Sequence, residues 1–215
     1  MTNSVLGVRN IQHTNGTDAM SIDTTGKVTF SNTSVGSNIL EKVGGMCDGS
    51  TRTTKSGNTL TLPNVTAYQL INTTSYTTVT GSSISYTAPE NCIGVLYEFL
   101  HAASWNSGSH AIQHYRLYID GVEPVYARRT HAATYMESKP MCTWYFKIDS
   151  SLGSIDTNTG AVPSWTSARS LSWQSRHYGT SNNVSRMHGT QYFDGGGGNT
   201  FHMPQVWITA FGASS

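Results

Sequence analysis

Residues 92–100 read CIGVLYEFL, and residues 111–129 read AIQHYRLYIDGVEPVYARR. The first run is almost continuously apolar. It fits a central β-strand covered on both faces, by a second sheet or by a neighbouring subunit. The second run is the clearest hairpin in the chain. Asp120-Gly121 suits a type I′ turn, because both central residues can take positive φ. Tyr115, Leu117 and Ile119 then share one face, with Val122 and Pro124 or Val125 beyond the turn. Pro124 has no N–H to give a ladder, which puts the returning arm at a sheet edge or a bulge.

Outward from these two runs the pattern stays β. TLTLP (59–63) and TAYQLI (66–71) alternate, and TTVTGSSISYTAP (77–89) gives two short strands about a turn at Gly81. Further strands are expected at Met141–Ile148, Ser170–Tyr178, Val184–Phe193 and Gln205–Phe211. No segment combines helical periodicity with useful length. Many short strands joined by Gly, Ser and Asn turns predict an all-β chain, an antiparallel β-sandwich of jelly-roll type, with a closed barrel as the alternative. No repeat at a solenoid period is present.

Ahead of this block lies VRNIQHTNGTDAMSIDTTGKVTFSN (8–32). Asn15-Gly16 and Thr25-Gly26 mark turns between three short strands, and Ile11, Met20, Ile22, Val28 and Phe30 supply their apolar positions. Three such strands cannot bury a core alone. They need the rest of the chain or copies of themselves, which points to an intertwined homo-oligomer. The expected organisation is a β-hairpin attachment and oligomerisation segment over 1–45, a linker over 46–58 and a head domain over 59–215. Residues 33–58 are rich in Gly, Ser and Thr. Ile39, Leu40 and Val43 form their one apolar-periodic patch, read as a single helical turn.

Charged residues make up 12% of the 215, about half the roughly 25% of ordinary globular proteins. A net charge of +1 gives no electrostatic footprint for nucleic acid or anionic lipid. Solubility therefore rests on Ser, Thr, Asn and Gly. Cys47, Cys92 and Cys142 stand at no metal spacing, and the last two lie in apolar strand patterns, as buried free thiols would. MTNSVLGVRN lacks a basic stretch followed by an apolar one, so no signal peptide is expected. Without one, the sequons at Asn15, Asn32, Asn64, Asn72 and Asn183 read as accidents of an Asn/Thr-rich chain. No run is long and apolar enough to suggest membrane insertion.

Chemistry-bearing residues are sparse. His110 and His114 would share a strand face roughly 13 Å apart, too far for one ion. His188 and His202 could meet only across a hairpin. Glu98 is the carboxylate in the odd place, inside the most apolar strand, where it faces a polar surface, pairs with an Arg such as Arg116, or lines a pocket. The run Asp194–Gly198 joins two strand-like segments without a Lys or a helix, so it reads as a hairpin tip rather than a phosphate loop. No nucleophile elbow is present. No catalytic, cofactor or metal site is expected. The aromatic residues Trp105, Tyr126, Tyr135, Trp165 and Tyr178 stand near loops, where exposed rings could stack on the apolar faces of sugars.

The segment IQHTNGTDAMSIDTTGKVTFSN, with its N-G-T-x-A-M-x-I-D core and the G-K-V-T-F strand, resembles a module of virion structural proteins of tailed bacteriophages, particularly those of marine and cyanobacterial hosts. ILEKVGGMCDGS, SYTAP and HYRLYIDGVEPVYAR extend the resemblance over most of the chain. It implies a fibre, tail-associated or head-decoration protein on the virion surface, assembled in the host cytoplasm and homotrimeric. Its expected partners are copies of itself, other capsid or tail proteins and, in a lectin-like head, host-cell glycan. A polysaccharide-degrading enzyme would need an acid–base pair or nucleophile that the sequence does not present.

Overall fold

A computed structural model describes residues 10–12, 18–22, 24–26, 28–30, 38–107, 111–133, 137–179, 184–190 and 200–213. It divides into two units, residues 1–38 with 214–215, and residues 39–213. In the small unit, β1 (Asn10–Gln12), β2 (Asp18–Ile22) and β3 (Val28–Phe30) form an antiparallel sheet in that order. The register sets Met20 between Ile11 and Phe30, and Ile22 opposite Val28. The apolar positions read from the sequence thus share rows. Gly26 takes φ +83° in the β2–β3 turn, the conformation that favours glycine there. The Asn15-Gly16 turn lies outside the described residues.

The large unit is a β-sandwich. Its first sheet has the order β15 (Met141–Lys147), β10 (Cys92–Leu100), β20 (Gln205–Gly212), β4 (Ile39–Met46). Facing it are β13 (Arg129–Ala133), β12 (Ala111–Ile119), β16 (Arg169–His177) and β8 (Thr77–Thr78), with β9 (Ile84–Tyr86) also on β16. A smaller sheet of β14 (Glu137–Ser138), β11 (Ala103–Ser107), β17 (Val184–Met187) and β7 (Gln69–Ile71) continues several of these strands. Two hairpins complete the unit: β5 (Thr51–Thr53) with β6 (Thr59–Thr61), and β18 (Gly189–Thr190) with β19 (Thr200–Phe201). The expected central strand is central: β10 pairs with β15 on one edge and β20 on the other.

Period-two alternation sends Val95, Tyr97 and Phe99 of β10, Val206, Ile208 and Ala210 of β20, Leu117 and Ile119 of β12, and Leu171 and Trp173 of β16 into one core. Each side chain so enclosed contributes about 1.5–3 kcal/mol relative to exposure. A buried polar clasp joins the two sheets. The Tyr97 hydroxyl donates to the Ser82 carbonyl. The Ser82 hydroxyl donates to the Val79 carbonyl at 2.6 Å and accepts the Trp173 amide at 3.1 Å. Tyr97, Val79, Ser82 and Trp173 are all fully buried, so each of these polar atoms depends on its partner.

The Asp120-Gly121 hairpin forms as the sequence predicts, with φ +47° and +81° and reciprocal Ile119–Val122 backbone hydrogen bonds of 2.9 and 2.8 Å. Asp120 does more than turn the chain. Its carboxylate accepts Arg169 Nη1 at 2.6 Å and the Ser170 amide at 2.8 Å, fastening the turn to β16. Beyond Pro124 the chain leaves the sheet in a 3-10 turn, Val125–Ala127. The Val125 and Tyr126 amides bond Thr157 and Asn158 carbonyls instead of a neighbouring strand, and pairing resumes at Arg129 opposite Tyr115.

The boundary near residue 45 moves. Ile39–Met46 is a strand of the first sheet, neither an attachment segment nor a helical turn, and pairs with β20 from Gln205 to Phe211. The stretch expected as a linker, 46–58, is tied in by Cys47 N–Pro204 O and Val65 N–Cys47 O hydrogen bonds and contains β5. Gly44 explains the misreading: it looks like loop sequence, yet it sits beneath Trp207. A Cβ there would lie 2.2 Å from the Val206 carbonyl oxygen and 2.7 Å from Trp207 Cα, and φ is +153°.

Gly44→Ala is expected to cost at least about 2 kcal/mol, because the obstruction is backbone and a strand must shift. Gly57→Ala, at φ +79° with open space around it, should cost about 1 kcal/mol from the backbone alone. Urea denaturation of both variants measures the difference; equal losses would show that the contact over Gly44 is not limiting.

Candidate functional site: the two outer faces and a buried histidine pair

The sandwich has two outer faces, and their side chains differ in kind. On the first sheet the register lines up Met141, Leu100, Gln205 and Met46 in one row, and Tyr145, Leu96, Thr209 and Lys42 in another. Trp207 and Phe211 stand on β20 and Ile39 on β4. Ile39, Met46, Leu100, Met141 and Tyr145 are all exposed. Tyr145 lies across Gly94 and Trp207 across Gly44, with Tyr145 and Phe211 edge to face at 6.0 Å. The rings are thereby held against the sheet in place of the side chains glycine lacks. Glu98 belongs to this face. Its partner is Lys42 at 4.0 Å, not Arg116, and Lys42 also stands 5.7 Å over the Trp207 ring. Four strands about 4.8 Å apart and seven steps of about 3.4 Å make a face of roughly 450 Å².

The second sheet presents His114, Arg116 and Tyr118 from β12 and Ser172, Gln174 and Arg176 from β16. His114 stands opposite Arg176, and Arg116 opposite Gln174. The Arg116 guanidinium lies 4.0 Å from the centre of the Tyr76 ring and that of Arg176 5.4 Å from the same ring. Glu123, delivered by the excursion after the hairpin turn, meets Arg128 at 2.6 Å and Arg116 at 3.3 Å. Arg176 has no carboxylate among the described residues. Its Nη1 donates to the Thr74 carbonyl at 3.2 Å, and its Nε has no partner there. His114 bonds Thr130 at 2.9 Å and stands 5.6 Å from the Tyr178 ring. Burial, then the Arg176 and Arg116 charges, lower its pKa.

The aromatic residues proposed for sugar stacking divide. Tyr178 is 59% exposed and belongs to this polar face; Tyr126 is 67% exposed. Trp105 is half-buried on β11. Trp165 is a correction: it is 3% exposed, its indole N–H donates to the Tyr86 carbonyl at 2.9 Å, and its ring packs edge-on against Tyr86 and Phe146. A ring so enclosed cannot meet a sugar. Tyr135, His110 and the Asp194–Gly198 run lie outside the described residues.

A cavity of about 300 Å³, as apolar as it is polar, opens between β6 and β9, lined among others by Thr54, Asn58, Leu60, Ser85, Tyr86 and Ala168. Glu41 braces its neighbourhood by accepting the Tyr86 hydroxyl at 2.7 Å and the Lys55 amide. No charged side chain lines it.

Sequence reasoning did not find the buried pair His101 and His188, whose rings lie 5.8 Å apart. His101 stacks on Phe99 at 4.8 Å and meets the Tyr115 hydroxyl at 3.2 Å; that hydroxyl donates to Gln113. His188, at φ +61°, meets Thr80 Oγ1 at 3.0 Å. His202 does meet His188 across a hairpin, but through backbone: its amide donates to the His188 carbonyl at 2.8 Å. No cluster of three potential metal ligands occurs among the described residues. Desolvation holds both rings neutral, His101 well below its ordinary pKa and His188 down at about 4. Burial likewise pushes the Cys47 and Cys142 thiols up to about 12, with Asp48 adding to the effect at Cys47. All three cysteines are free.

No protein-family model matches the chain, and no curated protein matches it. No helix among the described residues is long and apolar enough to cross a membrane.

The unfolded chain takes up a proton at the ordinary histidine value of about 6.5, whereas folded His188 resists until about 4. Its contribution is therefore complete above pH 6.5 and lost as pH falls towards 4, about 3 kcal/mol in all. The urea midpoint should drop between pH 7 and pH 4.5. His188→Asn, which tolerates positive φ, should shrink that drop; an unchanged drop would acquit His188.

Proposed function

We propose that the chain is a surface-exposed structural component of a tailed-phage virion, a homotrimer anchored by its N-terminal segment and projecting a β-sandwich head. The single observation that carries this reading is the apolar outer face of the first sheet. The largest apolar patch on a soluble protein spans roughly 300–600 Å² and is often a contact surface. Here Leu100, Tyr145, Met141, Met46 and Ile39 are exposed, and the charges of Lys42 and Glu98 stand side by side, suited to exchange across an interface. Copies of the chain cover this face in the trimer. The three-stranded unit, too small to hold a core alone, suits an attachment segment stabilised on the particle or by its own copies.

The head reads further as a jelly roll. Counting β4, β9, β10, β12, β13, β15, β16 and β20 as one to eight, the first sheet runs six–three–eight–one and the second five–four–seven–two. Of the seven steps between consecutive strands, only the β12–β13 hairpin stays within one sheet. Such alternation supports two interlocked Greek keys. The reading assigns binding and structure, not catalysis. A second role, recognition of host-cell glycan by the head, is favoured by the exposed Tyr178 on the polar face.

Light scattering of the purified chain at micromolar concentration should give three times the 23.3 kDa chain mass. Leu100→Asp with Tyr145→Asp should yield a monomer that keeps the wild-type far-UV spectrum. A wild-type monomer would sink the trimer. Antibody against residues 39–213 should label the surface of intact virions, and unlabelled virions would sink the structural reading.

A further inference from the structure

The outer face of the second sheet carries an excess of positive charge that the fold leaves unanswered. Arg116, Arg128 and Arg176 stand there, and Glu123 is the one carboxylate within ion-pair distance of them among the described residues. The rest of the chain is otherwise nearly balanced and poorly charged. Two of the three guanidiniums stand over a single ring, Tyr76, whose negative face attracts both. Glu123 is engaged by Arg128 and Arg116, leaving Arg176 as the cation without a counter-charge.

Beside these cations lies an aromatic step. Tyr178, in the bend just after β16, is exposed and tilted against His114. Gln174 and Ser172 lie further along the same strand face, and Thr130 lies across from His114. The face therefore offers a ring for an apolar pyranose surface, guanidinium N–H groups for a carboxylate, and neutral donors and acceptors for hydroxyls, within a few residue spacings along β12, β16 and the bend that follows β16. On the first-sheet face the cation set over an aromatic ring, Lys42 above Trp207, already has Glu98 beside it.

We infer that this face, built from Arg116, Arg176, Tyr76, Tyr178, His114 and Gln174, binds an acidic polysaccharide, with a uronate-type carboxylate held between the Arg176 and Arg116 side chains and a sugar ring stacked on Tyr178. The inference rests on the glycan-recognition role above and names its substrate class. It does not depend on the oligomeric state, because the face turned away from the first sheet stays accessible when copies cover the other side.

The test is calorimetric titration of the full-length protein with four probes: oligogalacturonate, a neutral dextran oligosaccharide, inorganic phosphate and single-stranded DNA. Oligogalacturonate should bind measurably below 10 mM, more weakly as salt rises, with the other three at least tenfold weaker. Arg176→Gln should weaken oligogalacturonate at least tenfold. Tyr178→Ala, at an exposed position that should leave the fold intact, should weaken it several-fold without changing the salt dependence.

Equal binding of dextran would overturn the acidic preference while leaving glycan recognition standing. Binding of DNA or phosphate as tight as oligogalacturonate would replace the saccharide with a general anion. Absence of binding to either saccharide would remove both the inference and the role on which it rests. Oligogalacturonate binding untouched by Arg176→Gln and Tyr178→Ala would place the site elsewhere.

Discussion

The clasp of Tyr97, Ser82 and Trp173 is the constraint on which the sandwich depends. Two sheets can slide over each other if only apolar side chains meet, because dispersion and hydrophobic burial are not directional. Here a phenol in the middle of β10 reaches across the core to the backbone of Ser82, whose hydroxyl in turn receives the Trp173 amide from the middle of β16. Each partner is fully buried, so slippage would strand several polar atoms without water, at about 1–3 kcal/mol apiece. One relative position of the sheets satisfies them all. The register of every outer-face residue follows from that position.

A consequence is that the two outer faces are held at fixed orientation on opposite sides of one core. Alternation along β10 puts Tyr97 inward and Glu98 outward; along β16 it puts Trp173 inward and Gln174 outward. The first sheet mixes Leu, Met and aromatic residues with Lys42, Glu98, Gln205 and two threonines at its outward positions, and the second carries Arg, His, Gln, Ser and Tyr. In the proposed assembly, one side of the sandwich meets copies of the chain and the other meets something hydrated and charged.

Much of this was readable in the sequence where local rules decide. The apolar run at 92–100, the Asp-Gly turn and the alternation in 169–177 each determine their own element within a few residues. What failed was non-local. Gly44-Gly45 looks like a hinge, and only the ring of Trp207, more than 160 residues away in the chain, makes a strand of it. Trp165 stands among Pro, Ser and Thr, as loop aromatics do, yet the loop folds inward so that its indole finds the Tyr86 carbonyl. Of the alternatives open to Glu98 in the sequence, pairing holds, but with Lys42, which only the non-local pairing of β4 with β20 brings to it. The cationic face could not be seen at all until pairing brought Arg116 and Arg176 to adjacent strands.

The buried thiols carry a last implication. Cys47 donates its S–H to the Gly81 carbonyl at 3.4 Å, and a thiol whose pKa lies near 12 has almost no thiolate at neutral pH. Because the thiolate is the species that attacks oxidants and disulfides, Cys47 and Cys142 are chemically silent for as long as the sandwich stays closed. These two thiols are thereby indifferent to the redox state of their surroundings, neither forming, breaking nor exchanging a covalent cross-link while the sandwich stays closed.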